Sequence, residues 1–160
     1  MGYSSLMELD NQITFQIIQT ATLIVAVFVA WISIKKQRET IKKDKTIGLL
    51  MKGLEDDFLT DGLKILRKID EEYRIEDFAK LSKKNFKEAI AIRNLLNYYE
   101  IIGVGIESDI YDITMIKDVQ KTMIIRIYEQ AEPFIIRSRQ VDNNADLWIK
   151  FQGLIDILRR

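Results

Sequence analysis

The 160-residue sequence contains no histidine and no cysteine. The missing histidine removes the commonest general base, and the two absences together remove the thiol nucleophile and the usual zinc ligands. A serine–histidine arrangement cannot be assembled from what remains. No disulfide can form, which suits a body held in a reducing compartment. Proline occurs once and glycine seven times, so helix breakers are sparse. No stretch alternates apolar and polar residues between hairpin turns, as half-buried strands do. The expected class is therefore all-α. Charge is absent from one long stretch: residues 11–34 hold not a single Lys, Arg, Asp or Glu.

What fills that stretch is hydrocarbon. Thr20 to Ile34 reads TATLIVAVFVAWISI, and crossing a ~30 Å hydrocarbon layer takes about 20 apolar residues. Including Phe15 to Gln19 meets that length, with a wetter entry end. The reading is a single transmembrane helix over residues 13–34, against the alternative of a buried core helix. The 24 basic and 24 acidic residues balance overall, but residues 35–52 carry seven cations against Glu39 and Asp44. No cation precedes the apolar run. Because Lys and Arg stay on the cytoplasmic side of short flanks, the expected orientation is N-terminus outside and C-terminus inside. That places the chain in the inner (cytoplasmic) membrane. An acidic start (Glu8, Asp10) does not resemble a cleaved signal peptide. Residues 53–160 are mildly acidic, with 17 basic and 20 acidic side chains, so no DNA binding is expected.

The expected layout is an extracytoplasmic tail (1–12), the membrane helix, a juxtamembrane amphipathic helix (35–60) and a cytoplasmic helical domain (61–160). Ile47, Leu50, Met51, Leu54 and Phe58 recur at helical spacing. Thr60-Asp61-Gly62 predicts a break, with Asp61 capping a helix that carries Leu63, Leu66, Ile69 and Tyr73. A polar stretch around 74–80 follows. Ser82 is expected to open a helix presenting Phe86, Ala89, Ile90, Leu96, Tyr99 and Ile102, ended by Gly103 as a C-cap. Gly103-Val104-Gly105 lies at a helix end, the wrong place for a phosphate loop. Asp109 or Asp112 caps the next helix, which Pro133 is expected to break or kink. Asn143-Asn144 marks a turn, and Leu147 to Leu158 form a last amphipathic helix.

Two constellations stand out. Arg93, Asn97 and Glu100 lie at i, i+4 and i+7, a polar line beside an apolar face, and Arg137 and Arg139 are expected to meet Glu100 or Asp112. These five form either a salt-bridge network fixing helix register or an arginine-lined site for an anionic ligand. The second constellation is a seam at alternating steps of four and three. It runs through Gln16, Gln19, Leu23, Ala26, Ala30 and Ser33, then Gln37, Thr40, Asp44, Ile47, Met51 and Leu54. Small residues let helices approach, and glutamines bond across interfaces. A 3.5-residue repeat matches left-handed packing. The expectation is self-association through this seam. The acidic clusters Glu55-Asp56-Asp57-Asp61 and Asp70-Glu71-Glu72 read as solvated helix faces, with no metal, cofactor or catalytic residue expected.

The runs LNYYEIIGVGIESDIYDITMI and IIRIYEQAEPFIIRSRQ, with the closing helix from Trp148 to Leu158, resemble an uncharacterised bacterial and phage family. It is catalogued as domain of unknown function 4760. Tyr99-Glu100, Asp112, Pro133-Phe134-Ile135 and Arg137 carry the resemblance, which covers most of residues 15–158. It implies one N-terminal membrane helix and a small helical cytoplasmic domain, and lends no activity. Two functional expectations follow. One is a membrane-anchored, non-enzymatic interaction or effector module that self-associates through its transmembrane helix and meets a protein partner, in conflict between bacteria and phages. The other is a ligand-gated membrane effector, pore-forming or membrane-disrupting, whose domain binds a small anionic signalling nucleotide; this one rests on similar layout alone.

Overall fold

The computed structural model describes the backbone of residues 3–72 and 87–160, and the side chains of those residues except 3–12, 54, 58 and 69–72. Among them are five helices and no strand: α1 (Tyr3–Glu55), α2 (Asp57–Glu72), α3 (Lys87–Glu107), α4 (Ile113–Asp142) and α5 (Ile149–Arg159). The all-α expectation holds. The expected helix start at Ser82, the polar stretch around 74–80 and Tyr73 lie outside the described residues, as do the side chains of Leu54, Phe58 and Ile69.

The chain divides into two compact units, Met1–Ile41 and Lys42–Arg160. In the first, α1 is helical from Tyr3, so the leader expected as a loose tail is helix from that point. It contains one helix long and apolar enough to cross a membrane, and none of its apolar window is buried by the rest of the chain. Leu23 is 66% and Val27 69% exposed. The hydroxyls within this apolar stretch are satisfied locally: Thr20 and Thr22 donate to the carbonyls of Gln16 and Ile18, each at 2.8 Å.

In the second unit, α3 is the central element. Its Ile92, Leu95, Leu96, Tyr99 and Ile102 are buried against Leu59 and Leu66 of α2, Ile124, Ile127 and Phe134 of α4, and Phe151, Leu154 and Leu158 of α5. Full burial of each such side chain is worth about 1.5–3 kcal/mol. Phe151 sits between two tyrosines, stacked on Tyr99 at 5.0 Å and edge-on to Tyr128 at 5.2 Å. Gly62, inside α2, is where α2 and α3 come closest, because a Cβ there would lie 2.8 Å from the Ala91 carbonyl oxygen.

Three expected breaks fall elsewhere. The break before α2 is at Asp56, and Asp61 is a position within α2 rather than its cap. Gly103 does not end α3, which continues to Glu107. Among the described residues no glycine has a positive φ, so the role of Gly103 is close packing rather than a left-handed cap. A Cβ there would collide with the Lys150 carbonyl, and one at Gly105 with the Tyr111 ring. The chain reverses at Asp109 (φ 57°), where the Gly105 carbonyl accepts from the Ile110 and Tyr111 amides at 2.8 and 3.2 Å. Pro133 lies inside α4, which runs unbroken from Ile113 to Asp142. A proline frees the carbonyl four residues earlier. Here that residue is Glu129, on a face where Glu129, Glu132 and Ile136 are exposed, so water can take the freed group.

Of the two caps expected for α4, Asp112 is the one used, and the turn expected at Asn143 is present. Asp112 accepts from the amides of Thr114 and Met115 at 2.9 and 3.2 Å. Asn143 closes the helix in the left-handed region at φ 50°, a conformation asparagine tolerates better than most residues. The glycines give a paired prediction. Gly103→Ala should destabilise the domain by about 1–3 kcal/mol through overpacking against α5. Gly48→Ala, with nothing within 4 Å of the added methyl, should stabilise it by about 1 kcal/mol through helix propensity. Thermal unfolding of the full chain in detergent, followed by circular dichroism, should show the two Tm values moving in opposite directions.

Candidate functional site

Arg93, Asn97 and Glu100 do form a line along α3, and all three point their polar groups at one object, the connection from α4 to α5. Arg93 Nη2 donates to Asp142 Oδ2 at 2.6 Å, and its guanidinium carbon lies 5.6 Å from the centroid of the Trp148 ring. Asn97 Oδ1 accepts from Trp148 Nε1 at 2.8 Å. Glu100 accepts from two backbone amides at the start of α5, Lys150 at 3.2 Å and Phe151 at 2.7 Å.

Glu100 does the work of a missing cap. The residue before α5 is Trp148, in the left-handed region at φ 57° and without a side-chain capping bond. That conformation is costly for a bulky L residue. It is held by the indole bond to Asn97, by Arg93 over the ring, and by Phe134, whose ring centroid is 6.0 Å away. A carboxylate at a helix start also opposes the positive end of the helix dipole. Gly103, one turn along α3 from Glu100, permits the approach that brings the Lys150 backbone within reach.

Arg139 joins this cluster, with a correction. Its Nε donates to the Leu147 carbonyl at 2.8 Å and its two terminal nitrogens to Gln152 Oε1 at 3.1 and 3.2 Å. Arg137 stands apart and donates to Gln140 one turn away at 2.8 Å. Neither arginine meets Glu100 or Asp112, because Glu100 is committed to α5 and Asp112 to the first turn of α4. Four of the five candidate ligand residues therefore bind the α4–α5 connection, and an incoming anion would have to displace those partners. The sequence did not single out Asp142, Trp148 or Gln152 as partners. An aromatic with an N–H donor at a turn was the one available signal.

A second set of contacts fixes the end of α1 within the same unit. Thr46 is fully buried; its hydroxyl donates to the Lys42 carbonyl and accepts from the Asp112 amide, each at 2.8 Å. Lys42 pairs with Asp109, and Tyr98 Oη donates to the Leu49 carbonyl at 3.0 Å. Beside Tyr98 is an open groove of about 420 Å³, with Leu49, Lys52, Leu59, Asn94 and Ile101 on its walls. Burial, with help from Tyr111 and Asp56, pushes the Tyr98 phenol up to about 12. Burial also raises Tyr99, and Tyr98 adds to that. Among the described residues no three acidic side chains converge on a metal-sized site.

The seam residues lie along α1. Gln16, Gln19, Ala26, Ala30 and Ser33 are exposed within the apolar unit, and Ile47 and Met51 are about half exposed in the other. The side chain of Leu54 is outside the described residues.

Two tests follow from this geometry. Arg93→Ala breaks a partly buried ion pair and uncovers Trp148, whereas Arg137→Ala removes only an exposed contact. The first should cost on the order of 2 kcal/mol and the second under about 0.5 kcal/mol, read as Tm shifts. Alkaline titration is the other. A phenol held neutral in the fold but ionising near its ordinary value in the unfolded chain contributes stability that is whole below about pH 10. That contribution is lost as pH rises toward 12. The Tm should be flat to about pH 10 and then fall, less steeply in Tyr98→Phe, with Tyr99, Tyr128 and Lys150, all raised in the fold, sharing the remainder.

Among curated proteins and solved structures, nothing matches the chain. One family model does, over residues 17–157, which takes in α1 from Ile17 onward and the helical domain up to the last turn of α5. By that match, spanning the polar line, the glycines of α3 and the α4–α5 connection, the chain belongs to the family described as Domain of unknown function (DUF4760).

Proposed function

We propose that this protein is a membrane-anchored, non-enzymatic interaction module. On this reading α1 crosses the inner (cytoplasmic) membrane once with its N-terminus outside. It self-associates through the Gln16, Gln19, Ala26, Ala30 and Ser33 face and presents the helical domain to a protein partner in the cytoplasm. The observation that carries the reading is the exposure of α1 over residues 13–34, where every side chain, apolar ones included, is exposed. A helix of such composition in water would offer a continuous apolar surface far beyond what soluble monomers tolerate. The cations that begin at Lys35 support the orientation.

The domain's polar chemistry supports a binding role over catalysis. With no histidine or cysteine in the chain, the arginines and carboxylates of α3 and α4 are the richest polar cluster, and they are spent on holding α5. The unengaged surface of the domain is instead partly apolar: Ile90, Ile101 and Val104 are 39%, 56% and 43% exposed along one side of α3. A face of this kind suits another protein better than a small charged metabolite.

Because the chain has no cysteine of its own, topology and assembly can be read from single introduced cysteines. Ser5→Cys should react with a membrane-impermeant maleimide in intact spheroplasts, and Ser108→Cys only after lysis. The reverse pattern overturns the orientation, and labelling of both without lysis overturns the span. Ala26→Leu and Ala30→Leu should reduce the assembled size in detergent by crowding the helix contact; an unchanged size removes the small-residue face from the reading.

A further inference from the structure

The cytoplasmic end of α1 has two sides. One is taken up by its own domain: Lys42, Thr46, Leu50 and Gly53 face Asp109, the Asp112 amide, the core and Tyr98. At about 100° per residue, Asp44, Ile47 and Met51 lie roughly 140° round the helix from that side. Ile47 is 49% and Met51 52% exposed. Asp44 is exposed and makes no ion pair among the described residues.

The charge pattern of the same segment singles out this second side. Seven cations fall between residues 35 and 52: Lys35, Lys36, Arg38, Lys42, Lys43, Lys45 and Lys52. None occupies a position of the four-and-three repeat, which runs through Gln37, Thr40, Asp44, Ile47 and Met51. A helix made only to meet anionic headgroups has no reason to keep one stripe free of cations and to place there the lone aspartate of residues 35–52. A stripe of uncharged and apolar residues at 3.5-residue spacing, flanked by charge, is the pattern of a helix that meets another helix.

We propose that this stripe pairs α1 with α1 of a second copy, in parallel and in register, from Gln37 to Met51, with Asp44 set beside Lys43 of that second copy. The inference rests on the self-association stated above and extends it from the bilayer into the cytoplasm. The occupant is a second copy because both halves of the charge match are on this chain. In a parallel, in-register pair the two Asp44 positions face each other, and each lies next to the position preceding it on the facing helix, Lys43, so that two lysines flank and offset the two carboxylates. An antiparallel pair loses this match and is at odds with the single orientation that the flanking cations set. Within the second unit, the contacts of Lys42, Thr46 and Leu50 leave Asp44, Ile47 and Met51 exposed.

The experiment is disulfide trapping of the full-length protein in native membranes, with one cysteine introduced at a time. A disulfide requires Cα atoms within about 7 Å. Ile47→Cys and Met51→Cys should give covalent dimers on mild oxidation, and Lys45→Cys, on the other side of the helix, should not. Ala26→Cys reports the membrane contact independently. If Ala26→Cys is trapped while Ile47→Cys and Met51→Cys stay monomeric, the pairing proposed here is overturned and membrane self-association stands. If none is trapped, both fall. Equal trapping at Lys45→Cys means chance collision and overturns the pairing. Asp44→Lys in the Met51→Cys background should abolish most of the dimer, and Asp44→Lys combined with Lys43→Glu should restore it. Unchanged trapping in Asp44→Lys overturns the charge match. Since Asp44 is exposed and has no polar partner among the described residues, an unaltered Tm shows that the fold survives each variant.

Discussion

The backbone amides at the start of α5 need acceptors, and the connection before α5 supplies the Asp146 carbonyl to Ile149 but nothing to Lys150 or Phe151. A helix begins with four N–H groups lacking intrahelical partners, and here the capping position is held by a tryptophan in a left-handed conformation. Glu100 reaches across from α3 to take two of those amides. That single arrangement organises much of the domain. It requires Gly103 so that the backbones can approach, it requires Trp148 to turn its indole toward Asn97, and it sets Phe151 between Tyr99 and Tyr128. Arg93 and Arg139 then secure the two ends of the connection. Substituting Glu100 would leave buried amides unsatisfied as well as removing an attraction, so the cost exceeds that of a surface charge.

The second constraint is on α1, which meets two environments along one helix. Where it is apolar all round, no part of the chain covers it. Where it becomes charged, the domain takes one side through Thr46, Leu50 and Gly53, and Asp112 serves two helices at once. Its side chain caps α4 while its amide binds the Thr46 hydroxyl. The start of α4 and the end of α1 are thus tied through one residue. Rotation of the α1 end about its axis cannot occur without straining the α3–α4 turn, where Lys42 also holds Asp109.

The class of fold, the apolar span and the main core positions were legible because they depend on periodicity, which sequence carries directly. Asp112 was legible as a cap because its side chain acts on neighbouring backbone, and Asn143 as a turn because asparagine tolerates the left-handed region. The misses share a cause. Gly103 and Pro133 are residues whose local tendencies end helices, and in both cases a tertiary contact or the local exposure overrode the tendency. Gly103 is needed small beneath Lys150, and Pro133 frees a carbonyl only where water is at hand. The polar line of α3 was visible as a pattern, but its targets were not. Asp142, Trp148 and Phe151 lie about fifty residues further along the chain, and no local rule connects them to Arg93, Asn97 and Glu100.

The borrowed cap of α5 also bears on how the domain opens. At eleven residues, α5 is shorter than the ~12–15 residues at which isolated helices become even marginally stable in water, and two amides of its first turn, Lys150 and Phe151, have no acceptor until Glu100 of α3 is alongside. It therefore has no helical existence away from its docking site. Undocking and unwinding become one event, so its amides should exchange with solvent in a single cooperative opening rather than by fraying from one end.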